Sequence, residues 1–387
     1  MKDQFLELKD VLVEPEQGLR IVGRHLIPAE PMPERPLPAL REDYLSAVEA
    51  EAVKQHNLRW ANGLEEKPKL LLAWLMLPTR CNQWCRGCYA GNDKKKTNSI
   101  LPQFYSEAKL KEMLDSLRRH GARTIGYAGL GELFTMRRPH LAINAREYIE
   151  RIIGAGFNML IFTNGTLLSV DDIEWLAKRP ISLIFSLRDI VESEHNGIVR
   201  FNGFRKTLRA LELALRAGLH KANRIGVEIP VIHGNMERVL NDFIPAMRHL
   251  GIIPYAEQYM QVCTSSEEKK MGLSFAEARE FFRRAQAIER RFGYVHAPCF
   301  AQRMVSQDKC IRPVFSVTIY PNGAVTPCPG NSEKLGNIYD VSLDEILNSD
   351  KYREWVKRFE LCACSVFYTE SDKEIPPNMP QFLEEFK

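Results

Sequence analysis

Residues 81–89 read Cys81-Asn-Gln-Trp-Cys85-Arg-Gly-Cys88-Tyr89, and this stretch predicts more about the fold than any other part of the chain. Its three cysteines, at C-x3-C-x2-C spacing, directly follow an apolar, strand-like run from Leu70 to Leu77. Three close thiolates can hold three irons of a [4Fe–4S] cube and leave the fourth iron without a protein ligand. A structural zinc site is the alternative, but it usually needs a fourth ligand, and neither His56 nor His120 has ligand spacing. The motif therefore predicts an iron–sulfur cluster with one open iron.

The composition is that of an ordinary folded protein, with 387 residues of which 45% are hydrophobic and 26% charged. This length allows one or two domains. The longest apolar run is too short to cross a bilayer, and the N-terminus has no signal-peptide core, so we expect a cytoplasmic protein with no membrane partner. A net charge of +4 is too small to indicate a nucleic-acid partner. In a reducing compartment, the nine cysteines indicate metal ligation in preference to disulfide bonds.

From Leu70 the sequence alternates strand-like and helix-like segments. The predicted strands are Leu70–Leu77, Thr124–Ala128, Asn158–Phe162, Ile181–Phe185, Arg224–Val231 and Ile253–Met260. The predicted helices are Glu107–Arg119, Leu141–Ile153, Asp171–Ala177, Gly203–Ala217 and Met236–Leu250. Strict alternation implies an α/β fold with a parallel sheet and right-handed crossovers. In α/β barrels the functional residues lie at the C-terminal ends of the strands. The cysteine loop comes after the first predicted strand and therefore lies at such an end.

From about Lys69 onward the chain resembles the radical S-adenosylmethionine (SAM) enzymes. The resemblance implies a partial (β/α)6 TIM-like barrel in which the open iron chelates the amino and carboxyl groups of SAM. One electron, supplied by a flavodoxin- or ferredoxin-type donor, then cleaves SAM to methionine and a 5′-deoxyadenosyl radical that abstracts hydrogen from the substrate. The family usually has an aromatic residue just before the third cysteine, whereas this chain has Gly87, flanked by Trp84 and Tyr89.

The resemblance also assigns SAM contacts to residues at the strand ends. Leu130-Gly131-Glu132-Leu133 is in register with the family's Gly-Gly-Glu-Pro motif, and Gly131 and Glu132 are the expected contacts. The other expected contacts are Thr163, Asn164, Ser186, Arg200 and Asn235. A turn role remains an equal alternative for Thr163-Asn164-Gly165-Thr166, and a helix-capping role remains open for Asn235. We interpret His233 as a capping or surface histidine.

A second cysteine group follows in the C-terminal part, with the pattern Cys310-x12-Gly323-x4-Cys328. Val314–Tyr320 reads as a strand, Pro321-Asn322-Gly323 as a tight turn and Ala324–Thr326 as the returning strand, and Asn-Gly is a strong hairpin signal. A helix from Leu343 to Phe359 follows. This order resembles the Twitch/SPASM auxiliary-cluster domain. The resemblance implies the shorter Twitch type, with one auxiliary [4Fe–4S] cluster. Its candidate ligands are Cys310, Cys328, Cys362 and Cys364, with Cys299 as a substitute for one of the last two. The alternative is that these residues are buried cysteines that bind no metal.

We therefore expect four segments along the chain. They are a proline-interrupted N-terminal extension (1–68) with a helical stretch from Arg41 to Arg59, a radical SAM barrel (69–262), a helical linker (263–305) and a small α+β Twitch/SPASM-like domain (306–387). We expect the N-terminal helix to pack over the barrel.

The expected activity is that of a radical SAM oxidoreductase, a dehydrogenase or an epimerase, acting on a small polar substrate of the sugar or aminocyclitol type. Cys263 and Cys299 stand apart from the motifs; a lone cysteine is usually a small core residue, but either thiol could donate the hydrogen atom that an epimerase needs. Two alternatives remain open: a maturase that modifies a peptide or protein, and a non-catalytic iron–sulfur redox protein.

Overall fold

The computed structural model describes residues 11–14, 18–21, 47–77, 80–88, 105–136, 144–221, 223–259, 270–292, 312–329 and 333–357. These residues pack as two compact units. The first unit takes the described residues within 1–41, 83–88 and 162–308, and the second takes those within 42–82, 89–161 and 309–387. The four sequence segments stay a prediction, because each unit draws on several of them.

The strands are β1 Val11–Glu14, β2 Gly18–Ile21, β3 Leu72–Leu75, β4 Thr124–Tyr127, β5 Asn158–Thr163, β6 Ile181–Ser186, β7 Ile225–Val231, β8 Ile253–Gln258, β9 Ser316–Ile319, β10 Ala324–Thr326 and β11 Gly336–Asn337. The helices are α1 Ala47–Ala61, α2 Glu107–Arg119, α3 Ala145–Gly154, α4 Val170–Ala177, α5 Glu192–Val199, α6 Phe204–Arg216, α7 Met236–Arg238, α8 Ile244–His249, α9 Phe275–Arg291, α10 Arg312–Phe315, α11 Leu343–Asn348 and α12 Asp350–Lys357. A 3-10 helix covers Leu133–Thr135 and a π-helix covers Val239–Phe243. The predicted alternation of strands and helices is confirmed. None of the helices in the described ranges is long and apolar enough to cross a membrane.

Two features of the alternation differ from prediction. The expected helix Met236–Leu250 consists of α7, the π-helix Val239–Phe243 and α8 in succession. Helix α5 was not predicted at all: it begins after Val191 without a side-chain cap, so its sequence lacks the usual start signal.

In the first unit, β6, β7 and β8 are parallel neighbours in that order, with Ser186 paired to Glu228 and Val231 paired to Gln258. Because the strands are parallel, their C-terminal ends lie at one edge. Helix α6 packs against α4 and α5. It buries a face of residues spaced three or four apart, the spacing of an amphipathic helix; its buried residues are Phe204, Thr207, Ala210, Leu211 and Ala214. This edge positions most of the candidate site.

In the second unit, the strand order is β11-β10-β9-β3-β4-β5. Strands β9, β3, β4 and β5 are parallel, whereas β9–β10 and β10–β11 are antiparallel. Strand β9 therefore does more than form the predicted hairpin, because it also extends the parallel sheet beside β3, from Leu72 opposite Ser316 to Leu75 opposite Ile319. All four residues of β3 are buried apolar residues, as expected for a strand inside a parallel sheet.

The C-terminal hairpin is confirmed, with two corrections to its surroundings. The predicted strand Val314–Tyr320 begins two residues late, at Ser316, because the helical turn α10 precedes it; a proline in a first helical turn loses no hydrogen bond, and Pro313 has that place. The predicted single helix Leu343–Phe359 is two helices, α11 and α12, since Ser349 between them is extended and its hydroxyl accepts from the Tyr352 amide at 3.2 Å. Residues 358–359 lie outside the described ranges.

Helix α1 lies within the predicted N-terminal helical stretch and packs in the second unit against α10 and α12. The Asn57 amide donates to the carbonyls of Lys69 (2.8 Å) and Val314 (2.6 Å). Arg353 donates to the Trp60 carbonyl (2.7 Å), and its guanidinium lies 4.4 Å from the centre of the Trp60 ring. This helix therefore contacts both the residues just before β3, Lys69 and Leu71, and the C-terminal segment of the chain.

Candidate active site

The cysteine loop is held by backbone hydrogen bonds in the first unit. The Trp84 amide donates to the Val199 carbonyl (3.1 Å) and the Arg86 amide donates to the Ile198 carbonyl (2.8 Å). Both acceptors belong to the last turn of α5, whose free carbonyls need partners. The helix that sequence reasoning missed is therefore the element that holds this loop.

Cys81, Cys85 and Cys88 are half-buried and form no disulfide. Cys85 is surrounded densely enough that burial raises the pKa of its thiol to about 11, and the Arg188 guanidinium opposes part of this rise. A ligating cysteine must lose its proton, so cationic partners are needed at this thiol. Within the described part of the chain, no three Cys, His, Asp or Glu side chains lie close enough to share a single metal ion; a cube binds each cysteine through a different iron, so the loop is compatible with a cluster.

Arg188 is a charged residue at this loop that sequence analysis did not assign. Its Nη1 donates to Glu228 Oε1 at 3.0 Å, and its positive charge lowers the pKa of the Cys85 thiol. Glu228 is within reach because Arg188 follows the C-terminal end of β6 while Glu228 is paired with Ser186 of that strand. The available signal was a charged residue two positions after a buried strand.

The backbone of Arg188 is fixed as well. Its backbone amide donates to His195 Nδ1 at 3.1 Å, and its carbonyl accepts from the side-chain Nδ2 of Asn235 at 3.5 Å. Burial, together with the charge of Arg188, lowers the pKa of His195 to about 3. His195 is therefore a neutral, buried acceptor that packs against Phe204, with ring centres 5.4 Å apart, and its role is to hold the strand-end loop.

The departure from the family pattern at Gly87 has a structural reason. Gly87 has a φ of 66°, in the left-handed region that favours glycine. A Cβ at this position would overlap the Tyr259 hydroxyl and would lie 2.5 Å from Cζ of the same ring. Tyr259 directly follows β8 and is buried against Ile232. A tyrosine from another strand end therefore fills the space in which a side chain at position 87 would lie.

Gly131 and Glu132 lie in the second unit, directly after β4. The Glu132 amide donates to the Arg80 carbonyl (2.9 Å), which ties this loop to the residue before Cys81. The Glu132 carboxylate is buried and accepts from the Phe134 amide (3.2 Å) at the start of the 3-10 helix. The Gly131 carbonyl accepts from the Tyr127 hydroxyl at 3.4 Å. The motif therefore forms a fixed loop beside the first cysteine.

Thr163 and Asn164 form the turn after β5. The Thr163 hydroxyl accepts from the Gly165 amide (3.0 Å), and the Asn164 side-chain oxygen accepts from the Thr166 amide (3.0 Å). Gly165 has a φ of 72°. These are local side-chain-to-backbone bonds typical of turns, so the structure gives both residues the turn role that the sequence left as one alternative.

The remaining expected contacts differ in exposure. Ser186 is half-buried at the end of β6, and Arg200 is exposed, with a left-handed φ of 51° that ends α5. Asn235 is buried; its side chain accepts from the Ile232 amide (2.9 Å) and donates to the Pro230 carbonyl (3.0 Å) without capping α7. His233 is exposed, with its Nδ1 3.5 Å from Glu277 Oε1.

Of the predicted auxiliary ligands, the described ranges include Cys328. It is half-buried just after β10 and forms no disulfide, and its carbonyl accepts from the Thr326 hydroxyl at 3.0 Å. The other candidate cysteines, Cys263, Cys299, Cys310, Cys362 and Cys364, lie outside the described residues. The auxiliary ligand set therefore stays a prediction.

Comparison with known families decides what kind of protein this is. Residues 75–244 match the radical SAM superfamily. The chain belongs to that superfamily. Residues 310–365 match the SPASM iron–sulfur cluster-binding domain, so this radical SAM enzyme has a C-terminal SPASM-type domain. The resemblance read from the two cysteine groups is confirmed. Membership implies a SAM-binding [4Fe–4S] cluster, and the SPASM domain implies auxiliary cluster binding.

Solved structures support the same fold. SuiB from Streptococcus suis bound to S-adenosylmethionine is 15% identical, with 88% of this chain and 84% of that chain covered and a TM-score of 0.58. The protein anSMEcpe with bound AdoMet and Cp18Cys peptide is 16% identical, with 82% and 96% covered and a TM-score of 0.55. At these identities the likeness shows the fold alone, which confirms the α/β class and the partial TIM-like barrel. No curated protein matches the chain significantly.

The loop residues fit the implied cluster. Cys81, Cys85 and Cys88 supply three thiols with no disulfide among them, and the positive charge of Arg188 lowers the pKa of the Cys85 thiol. Thiolate-bound iron–sulfur clusters depend on net charge and on hydrogen bonds to their sulfurs. The arrangement suits a cluster that must hold an additional electron.

Proposed function

We propose that this radical SAM enzyme cleaves SAM reductively at the loop formed by Cys81, Cys85 and Cys88, and abstracts hydrogen from a substrate bound at the C-terminal ends of the barrel strands. The observation that carries the proposal is the loop itself, whose three cysteines form no disulfide. Its residues Trp84 and Arg86 are bonded to the end of α5, and the charge of Arg188 lowers the pKa of the Cys85 thiol. When bound, the cluster supplies one electron to the SAM sulfonium. A flavodoxin- or ferredoxin-type protein in a reducing cytoplasm is the proposed source of that electron.

The strand-end residues bind and orient SAM in this proposal. Arg200 is the proposed partner of the SAM carboxylate, because a guanidinium pairs with a carboxylate through two parallel bonds, and its exposed side chain is able to turn toward a ligand. The other proposed contacts are Gly131, Glu132, Thr163, Asn164, Ser186 and Asn235. Several of these side chains already bond to neighbouring backbone, so we assign their SAM contacts to the carbonyls of the same loops or to the second lone pairs of their oxygens.

We propose two-electron oxidation of the substrate as the reaction. Hydrogen abstraction removes one electron and one proton; the resulting substrate radical must then lose a second electron and a second proton. An auxiliary cluster held by Cys310, Cys328, Cys362 and Cys364 is the proposed acceptor of the second electron. Epimerisation is the alternative outcome, with Cys263 or Cys299 as the hydrogen-atom donor.

The proposed substrate is a small polar molecule. The charged pair at the barrel edge supports this choice, because Arg188 and Glu228 retain 27% and 10% of their side-chain exposure and offer both a donor and an acceptor to hydroxyl or amino groups. A peptide substrate is the second candidate. It is favoured by similar structures that hold peptides, namely SuiB bound to the precursor peptide SuiA and anSMEcpe with the Cp18Cys peptide.

The test begins with anaerobically reconstituted protein, SAM and dithionite, and measures 5′-deoxyadenosine. Fully loaded protein should form it, and protein lacking the three loop thiols should not. Two series of candidate substrates, aminocyclitols and peptides, are then labelled with deuterium at carbon. The aminocyclitols should transfer deuterium to 5′-deoxyadenosine and the peptides should not; the reverse result would favour the second candidate. Loaded wild-type protein that forms no 5′-deoxyadenosine would instead identify a non-catalytic redox protein.

A further inference from the structure

Gln83 is a polar residue of the cysteine loop that sequence motifs do not mark, and only 5% of its surface is exposed. Its side-chain oxygen Oε1 accepts from the Cys85 thiol at 3.7 Å. Its side-chain nitrogen Nε2 is buried and has no hydrogen-bond partner among the described residues. Since a buried amide donor without a partner destabilises a fold, this nitrogen needs an explanation.

The nitrogen lies beside carbon atoms at the start of helix α6. A Cβ built on Gly203, the residue before that helix, would be 3.0 Å from Gln83 Nε2. The same Cβ would be 3.0 Å from Cδ1 of Phe201 and 3.3 Å from Cγ2 of Thr166. A ring carbon and a methyl carbon have no lone pair to offer. The amide therefore has its oxygen at the sulfur and its nitrogen beside apolar atoms.

The Gln83 side chain is able to present either end to the same sulfur, because half a turn about its last bond exchanges the oxygen and the nitrogen. A thiol donates to the oxygen, as in this structure. A cysteine that ligates iron has lost its proton, so its sulfur only accepts, and it repels the oxygen but bonds to the N–H group. Turning the amide breaks no bond of the nitrogen with another described residue.

We infer that Gln83 is a positioning residue that donates from Nε2 to the Cys85 sulfur when the loop holds its cluster, and that this bond raises the reduction potential of the cluster. The inference rests on the proposed function, since it takes the loop to bind that cluster. Reduction adds one negative charge, and the potential of an iron–sulfur cluster depends on hydrogen bonds to its sulfurs. A glutamine that only fills space would have no such effect.

The test uses anaerobically reconstituted, reduced protein without SAM, in which the side-chain nitrogen of every glutamine carries nitrogen-15. Pulsed electron paramagnetic resonance should detect a nitrogen-15 coupling to the loop cluster, whose signal is the one that disappears when the three loop cysteines are alanine. Gln83→Met has a similar length but no donor. It should lose this coupling and lower the midpoint potential by about two- to tenfold in the one-electron reduction equilibrium, or about 18–59 mV.

The matched control is Gln55→Met. Gln55 is exposed on α1 and bonds to Glu51 at 2.8 Å, so its replacement should change neither the coupling nor the potential.

The outcomes separate this inference from the proposed function. Wild-type protein without a reducible cluster at the loop would overturn the proposed function itself. A reducible loop cluster with no nitrogen-15 coupling, or with a coupling or a potential that Gln83→Met leaves unchanged, would overturn the inference alone. If Gln83→Met fails to hold iron, the labelled wild-type protein still decides, because the presence or absence of its coupling does not depend on the variant.

Discussion

Substitution of Gly87 by alanine tests whether the cysteine loop depends on the tyrosine that lies against it. Gly87 has a φ of 66°, and a left-handed backbone costs an alanine about 1–2 kcal/mol. Its new Cβ would also overlap the Tyr259 hydroxyl and lie 2.5 Å from Cζ and 2.8 Å from Cε2 of that ring. Because Tyr259 is 5% exposed, the ring cannot move away without disturbing its neighbours, and such overpacking costs a further ~1–3 kcal/mol.

The matched control is Gly63→Ala. Gly63 has a φ of 79°, but a Cβ built on it meets nothing within 4 Å, so this variant reports the backbone strain alone. At roughly 2–4 °C per kcal/mol for a domain of 150–250 residues, we expect Gly63→Ala to lower Tm by about 2–8 °C. The corresponding loss for Gly87→Ala, from about 2–5 kcal/mol, is about 4–20 °C.

The decisive assay is iron content, measured together with Tm after anaerobic reconstitution. Gly87→Ala should lose about four irons, one cube, because the displaced backbone separates Cys85 from Cys88, whereas Gly63→Ala should keep all of its iron. The double variant Gly87→Ala/Tyr259→Leu opens the space again and should regain part of the lost iron. If Gly87→Ala melts and binds iron like Gly63→Ala, then the ring does not constrain the loop and this reasoning is refuted.

Four further outcomes are expected. Replacing the three loop cysteines by alanine should remove about four irons and abolish 5′-deoxyadenosine formation; unchanged iron in a metal assay would contradict the cluster assignment. Arg200→Ala should weaken SAM binding about ten- to a hundredfold, the usual effect of losing a charge-assisted contact, and equilibrium dialysis at wild-type affinity would remove Arg200 from the SAM site. Cys328→Ala should spare SAM cleavage but stop product formation, as followed by chromatography of both products, if an auxiliary cluster takes the second electron. Arg248→Met should destabilise the protein by about 3–5 kcal/mol, because it leaves Glu289, now paired at 2.6 Å, as an unpaired buried charge. Burial already raises the pKa of Glu289, so the stability that this raised pKa contributes is present at low pH and is lost as pH rises through the pKa of the folded state. The Tm of the variant should therefore approach that of the wild type on acidification. A difference in Tm that does not change with pH would contradict this.

Local signals in the sequence were sufficient to predict the elements whose first and last residues are set by capping or turn residues. Helix α2 has its predicted bounds because the Ser106 hydroxyl caps its first turn and Arg118 and Arg119 close its last one. The hairpin turn at Gly323 was equally readable, since its φ of 83° needs the Asn-Gly pair that the sequence shows. By contrast, the apolar pattern from Leu343 onward continues across Ser349, so periodicity could not reveal the break between α11 and α12.

The parts of the site that sequence reasoning missed depend on contacts between distant positions. Helix α5 has no side-chain cap, and its last turn finds its partners in the cysteine loop. The sequence marked Gly87 as a departure, but it could not identify Tyr259 as the reason. Likewise Arg188 comes two residues after the expected contact Ser186, yet its importance depends on Glu228 and Cys85, which are distant from it in the sequence.

The packing of α1 has a consequence for the order in which the chain folds during synthesis. Trp60 is bonded through its carbonyl to Arg353, 293 residues later, and Asn57 is bonded to Val314. A ribosome that adds about 5–20 residues per second needs roughly 15–60 s to supply Arg353 after Trp60. During that interval the apolar side chains of α1 lack their final cover, as does the edge of β3 that later pairs with β9. The second unit is therefore completed near the end of translation, and a nascent chain that stops before residue 312 leaves its first helix without a docking site.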